Sequence, residues 1–248
     1  MTDPFQPLPH AHETPPAAEI DHHHADVSGG WLRPAVFGAM DGLVTNIALI
    51  AGVGGGGVSA HNVTLTGFAG LVAGAISMGL GEYTSVRTQN DQVAFELAKE
   101  RRELEHNPEA EAEELAGMWI ERGLPPDLAR QVAVAVGRNP DEALRLHAQE
   151  ELGVNPAEQP SPWVAAFSSF LCFSGGALVP LLPYLAGASR LWLALAVGGV
   201  GLFVAGALTA RFTSRKWYLS GLRQLVLGLA AAAATFGIGR AIGVSGIG

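Results

Sequence analysis

Residues 35–53 read AVFGAMDGLVTNIALIAGV, nineteen residues with a single charge, Asp41. At ~1.5 Å per residue a helix of that length crosses a hydrocarbon core ~30 Å thick. Residues 63–80, VTLTGFAGLVAGAISMGL, add eighteen more with no charge and make a second span. Further along, 163–185 and 191–210 are uncharged, and 224–243 forms a fifth, weaker span with Arg240 near its end. No period-two alternation is sustained over several segments, and the abundant Gly and Ala let helices approach closely in lipid. The sequence therefore predicts an all-α, polytopic membrane protein with five transmembrane helices.

Spans two and three are separated by a stretch of different character. Residues 91–158 hold sixteen of the twenty-three acidic residues and seven of the fifteen basic ones, a net charge of −9. Asn107-Pro108, Pro125-Pro126 and Asn139-Pro140 punctuate it, with proline suited to a first helical position and Asn107 and Asn139 able to cap. Helices are expected near 91–106, 108–122, 126–137 and 140–152, the first able to continue from the second span. The domain plan is a His- and Pro-containing disordered tail over 1–30 and membrane helices over 31–90. An inserted acidic helical domain at 91–158 precedes membrane helices over 159–248. Such an acidic unit excludes nucleic acid, which needs Lys and Arg to displace counterions, and points to cations instead. The lone Cys172 lies in an apolar run and is assigned no role.

Arg33 precedes the first span, Arg87 follows the second, and Arg211, Arg215, Lys216 and Arg223 cluster between the fourth and fifth; the opposite side has Arg190 and Arg240. The positive-inside rule then puts the N-terminus and the acidic domain in the cytosol.

Within 31–90 and 159–248 the only carboxylates are Asp41 and Glu82. Asp41 lies ~9 Å inside the first span, where an ionised acid needs a cation or polar partner. Glu82 follows Met78 by four residues, on the same helix face. A lone Met in an apolar helix is usually packing, but a thioether beside carboxylates suits a borderline transition metal better than Mg2+ or Ca2+. In the acidic domain, Glu100 and Glu103 are spaced i, i+3, as are Glu111 and Glu114, while His147, Glu150 and Glu151 form a third cluster. Packed together, such faces present several ligands to a cation; alone, each reads as a solvated acidic surface. Glu103 and His106 match half of a di-iron Glu-x-x-His motif with no second copy. His10, His12, His22, His23 and His24 in the tail are a weak metal-scavenging signal.

The strings GAMDGLVTN at 38–46 and GAISMGLGEY at 74–83 resemble the vacuolar iron transporter family, and the resemblance runs from about Trp31 to the C-terminus. It implies a homodimeric antiporter exporting cytosolic Fe2+, often also Mn2+, for protons, along a path between subunits. Asp41 and Met78 would be path ligands; Glu100, Glu103, Glu111, Glu114 and Glu151 would match the family's cytosolic metal-gathering residues. A methionine would be expected four residues before Glu151, where this chain has His147.

A carboxylate holds either a proton or a metal ion, so exchange at Asp41 would couple metal flux to a proton gradient. No prosthetic group or catalytic residue is implied; Fe2+ or Mn2+ is cargo, and the partners are the bilayer, protons and a second copy of the chain. The rival readings are a membrane-anchored ferroxidase and a metal sensor or store. The Gly/Ala-rich composition leans towards a bacterial inner membrane.

Overall fold

The computed structural model describes residues 30–212 and 215–244, which places the tail histidines outside the described residues. Helix α1 runs Leu32–Gly55, α2 Ala60–His106, α3 Pro108–Glu121, α4 Pro126–Gly137 and α5 Pro140–Glu151. They are followed by α6 Pro162–Leu178, a 3-10 turn Val179–Leu181, α7 Leu182–Leu185, α8 Leu191–Thr209 and α9 Trp217–Val244. Five segments are long and apolar enough to cross a membrane: α1, α2, Pro162–Leu185, α8 and α9. Among the described residues there is no strand.

Local chemistry fixes the element ends. α1 stops at a glycine run in which Gly57 takes φ +81°, a conformation glycine adopts without strain. Two residues later the Ser59 hydroxyl accepts the Asn62 N–H at 3.3 Å and starts α2. Proline opens α3, α4, α5 and α6 at their first positions, where its missing N–H costs nothing. Asn139 caps α5 by accepting from the Glu142 N–H at 3.3 Å, as its sequence position suggested. Asn107 does not cap α3 with its side chain: its backbone sits at φ −133°, ψ 51°, and ends α2 instead.

Two spans differ from the sequence reading. The third is interrupted at Val179–Leu181, where Pro180 lacks the N–H that would bond the Gly176 carbonyl. The fifth begins at Trp217, seven residues before the apolar run that starts at Gln224, so its first two turns include Arg223. Helix α2 is continuous through residue 91 for 47 residues, about 70 Å at ~1.5 Å per residue, so one rod carries both apolar span and acidic face.

In the membrane bundle α1 is the hub, packing against α2, α6, α8 and α9. Leu43, Ile47 and Ala51 of α1 meet Leu202 of α8 and Ala232 of α9 in one buried cluster. Against α6 the backbones themselves touch: a methyl group at Gly42 would overlap the Phe173 carbonyl, and one at Gly176 the Ala39 carbonyl. Gly42→Ala should therefore destabilise the fold by about 1–3 kcal/mol, read as a lower Tm in detergent. Gly81→Ala, with no atom within 4 Å of an added methyl, should leave Tm unchanged or raised. The outer faces of α2 and α6 carry exposed Leu65, Val72, Leu80, Phe167 and Leu171, as helices surrounded by lipid require.

Candidate metal centre

Four side chains from three helices converge beyond the membrane bundle. Glu100 lies near the end of α2, about 30 Å past Leu80 along the helix axis at ~1.5 Å per residue. The Asn107-Pro108 break reverses the chain so that Glu111, in the first turn of α3, returns towards it. α5 contributes His147 and Glu151, one turn apart on one face. Glu100, Glu111 and His147 are buried, with His147 only 2% exposed, and Glu151 lies at the rim. Leu115 and Ala116 of α3 and Ala129 and Ala133 of α4 form an apolar cluster, and Leu115 and Ala133 line one cavity with His147.

His147 Nδ1 sits 2.7 Å from Glu151 Oε1, 3.1 Å from Glu100 Oε1 and 3.8 Å from Glu111 Oε2. The shortest of these contacts, His147 Nδ1 to Glu151 Oε1, is at hydrogen-bond distance. Glu100 Oε1 is left buried with no hydrogen-bond partner, a costly condition for a carboxylate oxygen. The four ligand atoms lie within 4.8 Å of one another. Opposite ligands of an octahedral ion with bonds of ~2.1 Å stand ~4.2 Å apart, so a slight contraction would close this set on a divalent cation.

The electrostatics agree. Burial, then the Glu151 charge, pushes the Glu100 carboxyl up to about 7, only partly offset by His147. Glu111 is raised too, chiefly by burial and then by Glu114. Burial and mutual repulsion make these carboxylates costly to ionise, a cost that a bound cation would offset.

The other sequence candidates sit at different places. Glu103 and Glu114 line the periphery: their charges act on Glu100 and Glu111, but their oxygens lie outside the four-ligand group, and Glu103 is 3.9 Å from Lys99 Nζ. Glu150 is not a partner of Glu151 in the cluster. One position further round α5, it accepts from Trp119 Nε1 at 3.3 Å and pairs with Arg122. His106 is held by its own helix, Nδ1 lying 2.7 Å from the Arg102 carbonyl, which leaves the di-iron half-motif without its histidine.

In the bundle, Asp41 accepts a hydrogen bond from Thr45 Oγ1 at 3.0 Å, and Met78 packs beside Ala75, Phe173 and Ala177. Glu82 is half-buried one turn beyond Met78 on α2. Sequence reading assigned no role to Asn46, which is 1% exposed. Its Nδ2 donates to the Ala177 carbonyl at 2.5 Å, beside the proline break, and its Oδ1 has no partner.

Residues 32–240 match the VIT family model. The chain belongs to the vacuolar iron transporter family. It is 37% identical to the vacuolar iron transporter of Acanthamoeba castellanii over 234 residues, covering 90% of this chain and 84% of that one. Against vacuolar iron transporter 1 of Oryza sativa subsp. japonica it is 32% identical, covering 91% and 92%. Against vacuolar iron transporter 1 of Arabidopsis thaliana it is 30% identical, covering 90% and 91%. These relatives are vacuolar by name and lend no support to the bacterial inner membrane suggested by composition.

For this member of the vacuolar iron transporter family, the raised carboxyls set a pH dependence. Metal requires ionised ligands, and without metal Glu100 is half protonated near pH 7. Affinity should therefore fall as pH drops through 7, and binding at pH 7 should release about half a proton from Glu100 alone. Titration calorimetry in buffers of different ionisation enthalpy reads that release directly.

Proposed function

We propose that this protein carries Fe2+ out of the cytosol in exchange for protons, with Mn2+ as a second cargo. The observation that carries the reading is the set of buried Glu100, Glu111 and His147 with Glu151 at its rim, in which a carboxylate oxygen without a hydrogen bond faces an imidazole nitrogen. Relatives that span nearly the whole chain are named as iron transporters, which supports a carrier over a storage protein or an enzyme.

In this account the helical unit between the second and third spans faces the cytosol and collects the ion. Glu103 and Glu114 at its periphery draw hydrated cations towards the three buried ligands and Glu151 at the rim. An imidazole among carboxylates favours Fe2+ over Ca2+ or Mg2+, whose preferred shells are all oxygen. The rigid α2 rod joins this cluster to Glu82 and Met78 near the membrane. Asp41 and Met78 then receive the ion, with Asp41 giving up a proton as the metal binds and regaining one as it leaves. Asp41 and Thr45 lie on a partly exposed face of α1, so a second copy of the chain completes a homodimeric path around them.

The test is Fe2+ uptake into sealed proteoliposomes containing a quenched dye, run beside oxygen consumption by the same protein in detergent. Fe2+ accumulation without oxygen uptake is expected. Stoichiometric oxygen consumption with no accumulation would replace the carrier with a ferroxidase.

A further inference from the structure

At the junction of α8 and α9, Arg215, Lys216 and Arg223 surround a cavity of about 130 Å3 together with Leu219 and Ser220. The three cations are exposed, whereas Ser220 is only 4% exposed. The chain after Glu158 contains no Asp or Glu at all, so this half of the protein supplies no counter-charge. Among the described residues, no carboxylate comes within ion-pair distance of any of the three. The ion pairs that form among the described residues lie in or beside the acidic helical unit.

Position supplies the second argument. Trp217 and Tyr218 are 59% and 44% exposed, and they stack edge to face, ring centroids 5.9 Å apart, at the start of α9. Exposed Trp and Tyr at the end of a membrane span mark the headgroup level of the bilayer. The start of a 28-residue helix adds the positive end of its dipole at the same depth. Three cations, a buried hydroxyl and a helix start around one small cavity, at headgroup depth and without an internal anion, are complementary to a phosphate group held at that depth.

We propose that Arg215, Lys216 and Arg223 bind the phosphate of an anionic lipid headgroup, which ties the junction of the fourth and fifth spans to the charged leaflet. The site is independent of the metal-transport reading, since none of its residues takes part in the metal cluster or the path. Basic clusters beside membrane spans bind anionic lipid by this chemistry.

The full-length protein, purified and delipidated in detergent, is titrated with phosphatidylglycerol, phosphatidylcholine or inorganic phosphate, with bound lipid read by native mass spectrometry and Tm by scanning fluorimetry. Phosphatidylglycerol should be retained preferentially and raise Tm. Each of Arg215→Gln, Lys216→Gln and Arg223→Gln should lower that retention roughly fivefold. Arg190→Gln, at the other end of α8, should leave it unchanged. Equal retention of the two lipids would overturn the proposal, as would preference surviving the triple variant. Equal stabilisation by inorganic phosphate would make the ligand a free anion and overturn the lipid assignment. If the triple variant does not fold, the three single variants decide: undiminished retention in all of them overturns the site.

Discussion

Replacing His147 with alanine should weaken Fe2+ binding by the solubilised protein by more than the ~10–100-fold that loss of an outer-shell partner alone costs. His147 Nδ1 is the nitrogen that all three carboxylates of the cluster approach, so its removal deletes a ligand and the positive edge that tempers their repulsion. The loss should be steeper for Fe2+ than for Mn2+, because imidazole contributes more to the later metal. His147→Asp, which restores a donor made of oxygen, should recover Mn2+ and Ca2+ more than Fe2+. Equilibrium titration with each metal at pH 7.5 measures this, and unchanged affinity for every metal would show that His147 does not touch the ion. Glu100→Gln separates binding from folding. The apo fold carries Glu100 at about 7, above its ordinary 4.5, so it favours the protonated form and loses stability as pH rises between those values. Removing that carboxylate should raise apo stability at pH 8 by on the order of 2 kcal/mol, and the Tm increase expected of the wild type on adding metal should be absent.

Asp41→Asn should reduce metal flux by roughly 100-fold, the ~3 kcal/mol scale of losing one partner of a buried charge pair. Asparagine keeps the size and the acceptor oxygen that Thr45 uses at 3.0 Å, so the helix and its packing survive the change. What disappears is the negative charge and the place for an exchangeable proton. Binding at the Glu100, Glu111, His147 and Glu151 cluster should be unaffected, because those residues lie on the far end of α2 and on α3 and α5. A flux loss with intact binding locates the defect in the membrane. Undiminished proton-driven flux in Asp41→Asn would remove Asp41 from the path.

Much of this architecture was legible beforehand. Long apolar runs with at most one charge marked the spans, since lipid tolerates few alternatives to a helix. Pro108, Pro126 and Pro140 gave the starts of α3, α4 and α5 because their fixed φ suits a first helical position. Convergence was not legible. Glu150 and Glu151 are neighbours in sequence, yet one helical step of about 100° sends Glu150 to Trp119 and Arg122 and Glu151 to His147. Which glutamates meet depends on how the Asn107 break redirects α3 against α2, and that angle is a tertiary outcome. Asn46 was passed over because a neutral amide in an apolar run leaves no charge or periodic mark. Its burial and its bond to the Ala177 carbonyl depend on the proline break in a helix 131 residues away.

The central claim is exchange of metal for protons, and a two-dye measurement addresses it most directly. Proteoliposomes would carry a metal-quenched dye and a pH dye in the lumen, with Fe2+ added outside under an imposed pH gradient. The account predicts Fe2+ entry together with lumenal alkalinisation in the wild type and neither in Asp41→Asn. Fe2+ entry with no proton movement would contradict exchange, and no entry by folded protein that still binds Fe2+ would contradict transport.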